Sequence, residues 1–244
     1  QLVIFLNPKE VIYFHRGMWR LKRDITMRAL GIGMAPFLMH LAACFVVIVL
    51  NNQLKRYGGD MAIATFGLTN RFMFFFSMIV MGLNQGMQPI VGYNYGAKLY
   101  PRMARALKLT AMCATCVMGV LWLFGLLWPE GFIRLFTHDE VLIAQSIVPA
   151  RVMLCTMVMV GFPMVVGNFY TSIGMSSKAI FLSLTRQVLF LIPCILVLPW
   201  LFQRLDITPI WGVWWSLPIC DALASIMAAI LVNRDIRKFM SQTS

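Results

Sequence analysis

The polar positions of this chain come in clusters, and long apolar runs separate them. Residues 29–54, 72–97, 109–129 and 152–177 contain no Lys, Arg, Asp or Glu. Residues 179–203 contain only Arg186, and residues 207–233 contain only Asp221. A bilayer crossing takes about 20 predominantly apolar residues in a helix. Barrel strands would alternate every second residue over about ten positions. Runs this long, with few breakers, predict helices instead. The pattern gives six transmembrane helices, at about 29–53, 62–94, 105–128, 142–172, 179–203 and 209–233.

Composition moves the chain further toward the membrane. It is 60% hydrophobic and 12% charged, whereas a soluble domain carries about 25% charged residues. The net charge of +12 does not signal a nucleic-acid partner, which would need a basic patch on one folded face. The cations sit in the gaps between apolar runs, and they alternate. Lys9, Arg16, Arg20, Lys22, Arg23 and Arg28 precede the first run. Lys98, Arg102 and Arg105 follow the second, Lys178 follows the fourth, and Arg234, Arg237 and Lys238 follow the sixth. The other gaps are lighter in cations and hold acids as well. The positive-inside rule then puts both ends in the cytoplasm. Residues 1–28 read as a cytoplasmic or interfacial connector lying on membrane lipid, with Tyr13 and Trp19 suited to headgroup depth. Residues 234–244 read as a cytoplasmic tail. The chain begins at Gln1 and shows no signal-peptide pattern, so it reads as a piece of a longer polypeptide. The six cysteines all lie inside apolar runs and read as small buried side chains, not as a disulfide framework or a metal site.

Charges inside a membrane span are costly and mark functional candidates. Four occur: Arg71, Arg151, Arg186 and Asp221. Asp221 lies near the middle of the sixth run. Arg186 lies on the fifth, and the two depths differ by only about 8 Å at 1.5 Å per residue. The two side chains are therefore expected to meet. Two roles fit such a pair: a structural ion pair that lets both charges sit in the bundle, or a carboxylate that titrates during ion coupling. Arg71 and Arg151 fall near the outer ends of the second and fourth runs, where one of them is expected to snorkel or cap carbonyls. His40 in the first run fits a hydrogen-bonded core position or a proton-carrying one.

The stretch "GLNQGMQPIVGYNYGA", residues 82–97, is the most polar part of the second run. Gly82 and Gly86, and again Gly92 and Gly96, are four apart, a spacing that lets helices pack closely. Pro89 removes a backbone donor and predicts a kink. Asn84 and Gln88 share a helix face, with Gln85 beside it. Such a stripe must face the bundle interior or a water-filled cavity. It fits a substrate pathway, and it fits polar contacts that hold helices together.

These residues resemble the multidrug and toxic compound extrusion (MATE) family. "YGGDMAIATFGLTNRF" (57–72) followed by "GLNQGMQPIVGYNYGAK" (82–98) resembles the family's eighth helix and the loop after it. "IGMAPFLM" (32–39) resembles its seventh, "FYTSIGMSSKAIFLSLTRQVLFLIP" (169–193) its tenth and eleventh, and "WGVWWSLPICDALASI" (211–226) its twelfth. The resemblance covers about residues 25–238. It implies an all-α integral membrane fold in which this chain is one six-helix lobe of a twelve-helix transporter. It also implies a partner lobe on the N-terminal side of the same polypeptide and a multi-pass location in a bacterial cytoplasmic membrane. The implied activity is antiport, in which protons or sodium ions move in and lipophilic, often cationic drugs move out, with no cofactor. The acids that some family members carry on the seventh and tenth helices have no counterpart in the first and fourth runs. Two alternatives are a flippase for lipid-linked saccharides from the same MOP superfamily and a fragment that does not transport. An intramembrane enzyme is disfavoured, because the chain carries no HExxH or GxSxG motif.

Overall fold

A computed structural model describes residues 23–241. Residues 1–22 of the expected connector and 242–244 of the expected tail lie outside the described residues. The chain divides into two units, Gln1–Leu38 and Met39–Ser244. In the first, residues 23–38 are helical. The helical bundle is the second.

All regular structure among the described residues is helical. Helix α1 runs Arg23–Gly96 and is interrupted at Gly59. Then come α2 (Tyr100–Leu127), the short α3 (Pro129–Arg134), α4 (Glu140–Leu154) and α5 (Met157–Ser172). The last part is α6 (Ser176–Leu184), a π-helical turn at Thr185–Leu191, α7 (Ile192–Arg204) and α8 (Ile210–Met240).

Four helical stretches are long and apolar enough to cross a membrane: Phe37–Gly96, Tyr100–Leu127, Ser176–Arg204 and Ile210–Met240. A fifth crossing results if α4 and α5, bent by 49° at their junction, are taken together. Six were expected. The difference lies in α1, where the first two expected spans fall within one helix. The place where they part is physically clear. Gly59 has φ 69° and ψ −165°, a conformation essentially closed to residues with a Cβ. The helix before it and the helix after it both pack into one apolar cluster, which joins Val46, Leu50 and Leu54 to Ala62, Ile195, Val213 and Trp214.

A larger cluster fills the rest of the bundle. It brings Val80, Met87 and Val91 of α1 against Met103, Leu107, Met118 and Leu121 of α2 and Phe169 and Tyr170 of α5. Helices α7 and α8 approach so closely that a Cβ on Gly212 would overlap the backbone at Pro199. Many large side chains point outward, among them Phe74, Phe75, Met78, Leu127 and Ile230. That surface suits hydrocarbon rather than water.

The expected kink at Pro89 is not a break in the helix. Among the residues of α1, only Gly59 leaves helical φ/ψ, and helical turns continue to Gly96. The glycine spacing also acts differently from the expectation. Gly82, Gly86 and Gly96 have open space where a Cβ would point, and only Gly92 is close to another helix, near the Ser172 carbonyl of α5. Small-residue spacing permits close packing but does not supply the partner helix.

Candidate functional site

The site forms where α5 opens. Pro163, inside α5, has no backbone N–H, so the Met159 carbonyl four residues earlier loses its helical donor. The Ser225 hydroxyl of α8 lies 3.1 Å from that carbonyl and 2.7 Å from the Asp221 carbonyl. Across from Pro163, the chain makes its π-helical turn at Thr185–Leu191. Such a turn fits one more residue per turn than an α-helix, re-aims the side chains it carries, and is frequent at functional sites. Arg186 sits in it.

A cavity of about 390 Å³ lies among these elements. His40 and Met81 of α1, Met164 and Asn168 of α5, Arg186 of the π turn and Asp221 of α8 contribute to its lining. Its walls are mostly apolar, with a few convergent polar groups, as ligand sites usually are.

Arg186 and Asp221 meet as their depths suggested. Arg186 Nε donates to Asp221 Oδ1 at 2.9 Å, and Nη2 donates to the same oxygen at 2.6 Å. The carboxylate side chain is 6% exposed and the guanidinium 34%. The charge thus faces the cavity through Arg186, while Asp221 is held behind it. Charge-assisted bonds of this length are among the strongest side-chain contacts.

The other expected site residues separate into three groups. His40 lines the cavity, although its side chain is otherwise exposed. Gln88 reaches the cavity indirectly: its Nε2 donates to Asn168 Oδ1 at 3.1 Å, and Asn168 Nδ2 donates to the Met164 carbonyl at 2.9 Å. Asn84 is buried at 2% exposure, and neither its amide oxygen nor its amide nitrogen has a hydrogen-bond partner among the described residues. Gln85 is exposed. Arg71 and Arg151 are also exposed. Neither caps a carbonyl or forms an ion pair with another described residue, contrary to the expectation for one of them. Each sits on an outward face, so its guanidinium meets no carbonyl of a neighbouring helix.

Asn168 was missed in the sequence. The available signal was a lone amide in the charge-free run 152–177, five residues after a proline. A second buried carboxylate was missed as well. Asp235 Oδ2 accepts from Tyr170 Oη at 2.6 Å and from Lys178 Nζ at 2.6 Å. Its position past the last apolar run made it look like part of a solvated tail. No group of three or more His, Cys, Asp or Glu side chains among the described residues could hold a metal ion.

A helical bundle with a charged pair behind a polar-patched cavity, and with an apolar exterior, is the architecture of a membrane transporter lobe. Comparison with known proteins agrees. Residues 36–196 match the family model described as MatE, and the chain belongs to this family of MATE transporters, not to an enzyme family. Over 231 residues it is 23% identical to the multidrug export protein MepA of Staphylococcus saprophyticus subsp. saprophyticus, covering 95% of this chain and 49% of that protein. The MATE multidrug transporter DinF-BH, solved in complex with a drug ligand, is 36% identical, with a TM-score of 0.79 over 98% of this chain and 52% of that one. An outward-facing multidrug resistance MATE transporter of the MOP superfamily shares the fold at a TM-score of 0.82 and 18% identity. The chain spans about half the length of the relatives it matches.

Proposed function

We propose that this chain is the C-terminal six-helix half of a cation-coupled antiporter that exports lipophilic, often cationic drugs across a bacterial cytoplasmic membrane. The observation that carries the reading is the Asp221–Arg186 pair at the wall of an apolar cavity, inside a lobe of MATE fold. A buried carboxylate with one cation partner has a simple exchange chemistry. A proton or sodium ion arriving at Asp221 competes with Arg186 for the same oxygen. Displaced, the guanidinium swings toward the cavity, where its charge disfavours a cationic drug. When the ion leaves, Arg186 returns to Asp221 and the cavity accepts the next cation. Drug and ion then exclude one another electrostatically, which is the requirement for antiport. MepA is named a multidrug export protein and DinF-BH was solved with a drug bound, and both support the substrate class.

Six crossings follow from the same reading. A straight helix over Phe37–Gly96, 60 residues, would measure about 90 Å at 1.5 Å per residue. The hydrocarbon core is about 30 Å thick. In a bilayer the chain must therefore turn back at Gly59, giving two spans from α1 and both ends in the cytoplasm. Gln88, bonded to Asn168, would steady the cavity wall, and Asn84 would hold α1 in the bundle. The N-terminal half of the polypeptide would supply the facing lobe.

A second reading, a flippase for lipid-linked saccharides, is favoured by Arg71 and Arg151, two exposed cations without partners that could meet phosphates. One experiment separates the two. Ethidium efflux is measured in cells expressing the complete gene, with the proton and sodium gradients collapsed separately, for the native protein and for Asp221→Asn. The antiporter loses efflux when one of the gradients is collapsed, and Asp221→Asn loses that dependence. Efflux indifferent to both gradients overturns the antiport reading.

A further inference from the structure

A second cavity, about 630 Å³ in volume, opens between α2, α5 and α8. Leu107, Phe162, Val232 and Ile236 form apolar walls, and Lys108 and Asn233 are its polar members. On α2 its lining runs from Ala104 to Thr115, a rise of about 16 Å at 1.5 Å per residue. One leaflet of a bilayer whose hydrocarbon is about 30 Å thick has nearly this depth. The groove's polarity is graded along that depth. Lys108 stands toward the beginning of α2, just after Arg102 and Arg105, and Asn233 stands toward the end of α8, just before Arg234 and Arg237. Lys108 is exposed and makes no ion pair with any described residue. The nearby acid on α8, Asp235, is already committed to Tyr170 and Lys178.

We propose that this groove is a binding site for an anionic glycerophospholipid, with an acyl chain along the apolar walls and the phosphate on Lys108. The inference rests on the membrane-spanning reading of the chain but not on antiport. An apolar slot one leaflet deep fits an acyl chain. A free lysine at its basic end, whose ammonium can snorkel to headgroup depth, selects an anionic headgroup over a zwitterionic one. A small free anion would leave the apolar walls without a role.

The test uses the complete gene product, purified in detergent and monodisperse. Retained lipid is counted by native mass spectrometry after adding dioleoylphosphatidylglycerol or dioleoylphosphatidylcholine at equal concentration. The native protein should retain one phosphatidylglycerol several-fold better than phosphatidylcholine. Lys108→Gln, a change on an exposed residue, should lower phosphatidylglycerol retention about fivefold, the worth of one basic residue against anionic lipid. Ala111→Trp, which fills the groove, should reduce retention of both lipids. Equal retention of the two lipids by the native protein overturns the proposal, and so does unchanged retention in Lys108→Gln. Met112→Cys crosslinking to another part of the polypeptide also overturns it, because the groove would then be a protein interface. None of these readouts depends on drug efflux, so the site and the antiport reading fail or stand separately.

Discussion

Helix α8 carries two buried carboxylates fourteen residues apart, about 21 Å along the axis. They are nearly alike by every local measure. The side chain of Asp221 is 6% exposed and that of Asp235 12%, and their cation partners, Arg186 and Lys178, are 34% and 39% exposed. Each carboxylate accepts two bonds at one oxygen. The surroundings differ. Asp221 backs onto a cavity and faces a π-helical turn, while Asp235 lies outside that cavity under the Tyr170 ring. Burial and pairing therefore do not single out a working carboxylate. Access from a cavity, with a partner on a backbone segment able to re-aim it, is what separates the two.

The hardest test of that distinction is Arg186→Met. It leaves the Asp221 carboxylate buried without its cation, a change that typically costs about 3–5 kcal/mol. Thermal unfolding of the purified complete protein should show the loss, and ethidium efflux should stop. The double variant Arg186→Met/Asp221→Leu removes both charges and should regain most of the stability, since apolar replacement of a buried pair is often neutral. Efflux should not return. A double variant that transports like the native protein would make the pair a structural device, and the contrast with Asp235 would disappear.

Lys178→Met is the matching change at the other carboxylate. Asp235 keeps its bond from Tyr170, and the partly exposed site lets water replace the ammonium. The expected loss is about 1–2 kcal/mol, with efflux within about twofold of native. If efflux were lost while the unfolding temperature barely moved, both carboxylates would belong to the transport cycle.

How much of this was legible in the sequence follows from the range of each signal. The apolar runs are long and local, so the helices and their membrane character could be read directly. The Arg186–Asp221 contact was also legible, because two charges at similar depths on adjacent spans have few other partners. The turn at Gly59 was less so. The sequence "RYGGD" marks a loop, yet the helical backbone continues on both sides of one glycine. The glycine pairs at 82–96 were misread because spacing says nothing about which helix comes near. The close approach instead falls at Gly212, where the backbone of α7 leaves no room for a Cβ. Asp235 was missed because charge at the end of a run predicts solvent, whereas Tyr170 and Lys178, 65 and 57 residues away in sequence, fold over it. The π turn left no signal, since no residue type specifies it.

The smallest change tests whether the Asp235 cluster acts as a unit. Tyr170→Phe keeps the ring, which is fully buried, and so keeps the packing against Phe169, whose ring centroid lies 5.5 Å away. It also keeps the ring under Lys178 Nζ, 5.4 Å from the centroid, where cation–π attraction survives loss of the hydroxyl. Only the hydrogen bond to Asp235 goes, and the carboxylate retains Lys178. The expected cost is about 1 kcal/mol in thermal or denaturant unfolding, with efflux unchanged. Combining Tyr170→Phe with Lys178→Met removes both donors and leaves the carboxylate buried alone. The double variant should lose more than the sum of the singles, because each single leaves the other donor in place. Additive losses would mean that water already serves Asp235. The cluster would then be an ordinary surface contact, and the resemblance between the two carboxylates of α8 would end at their burial.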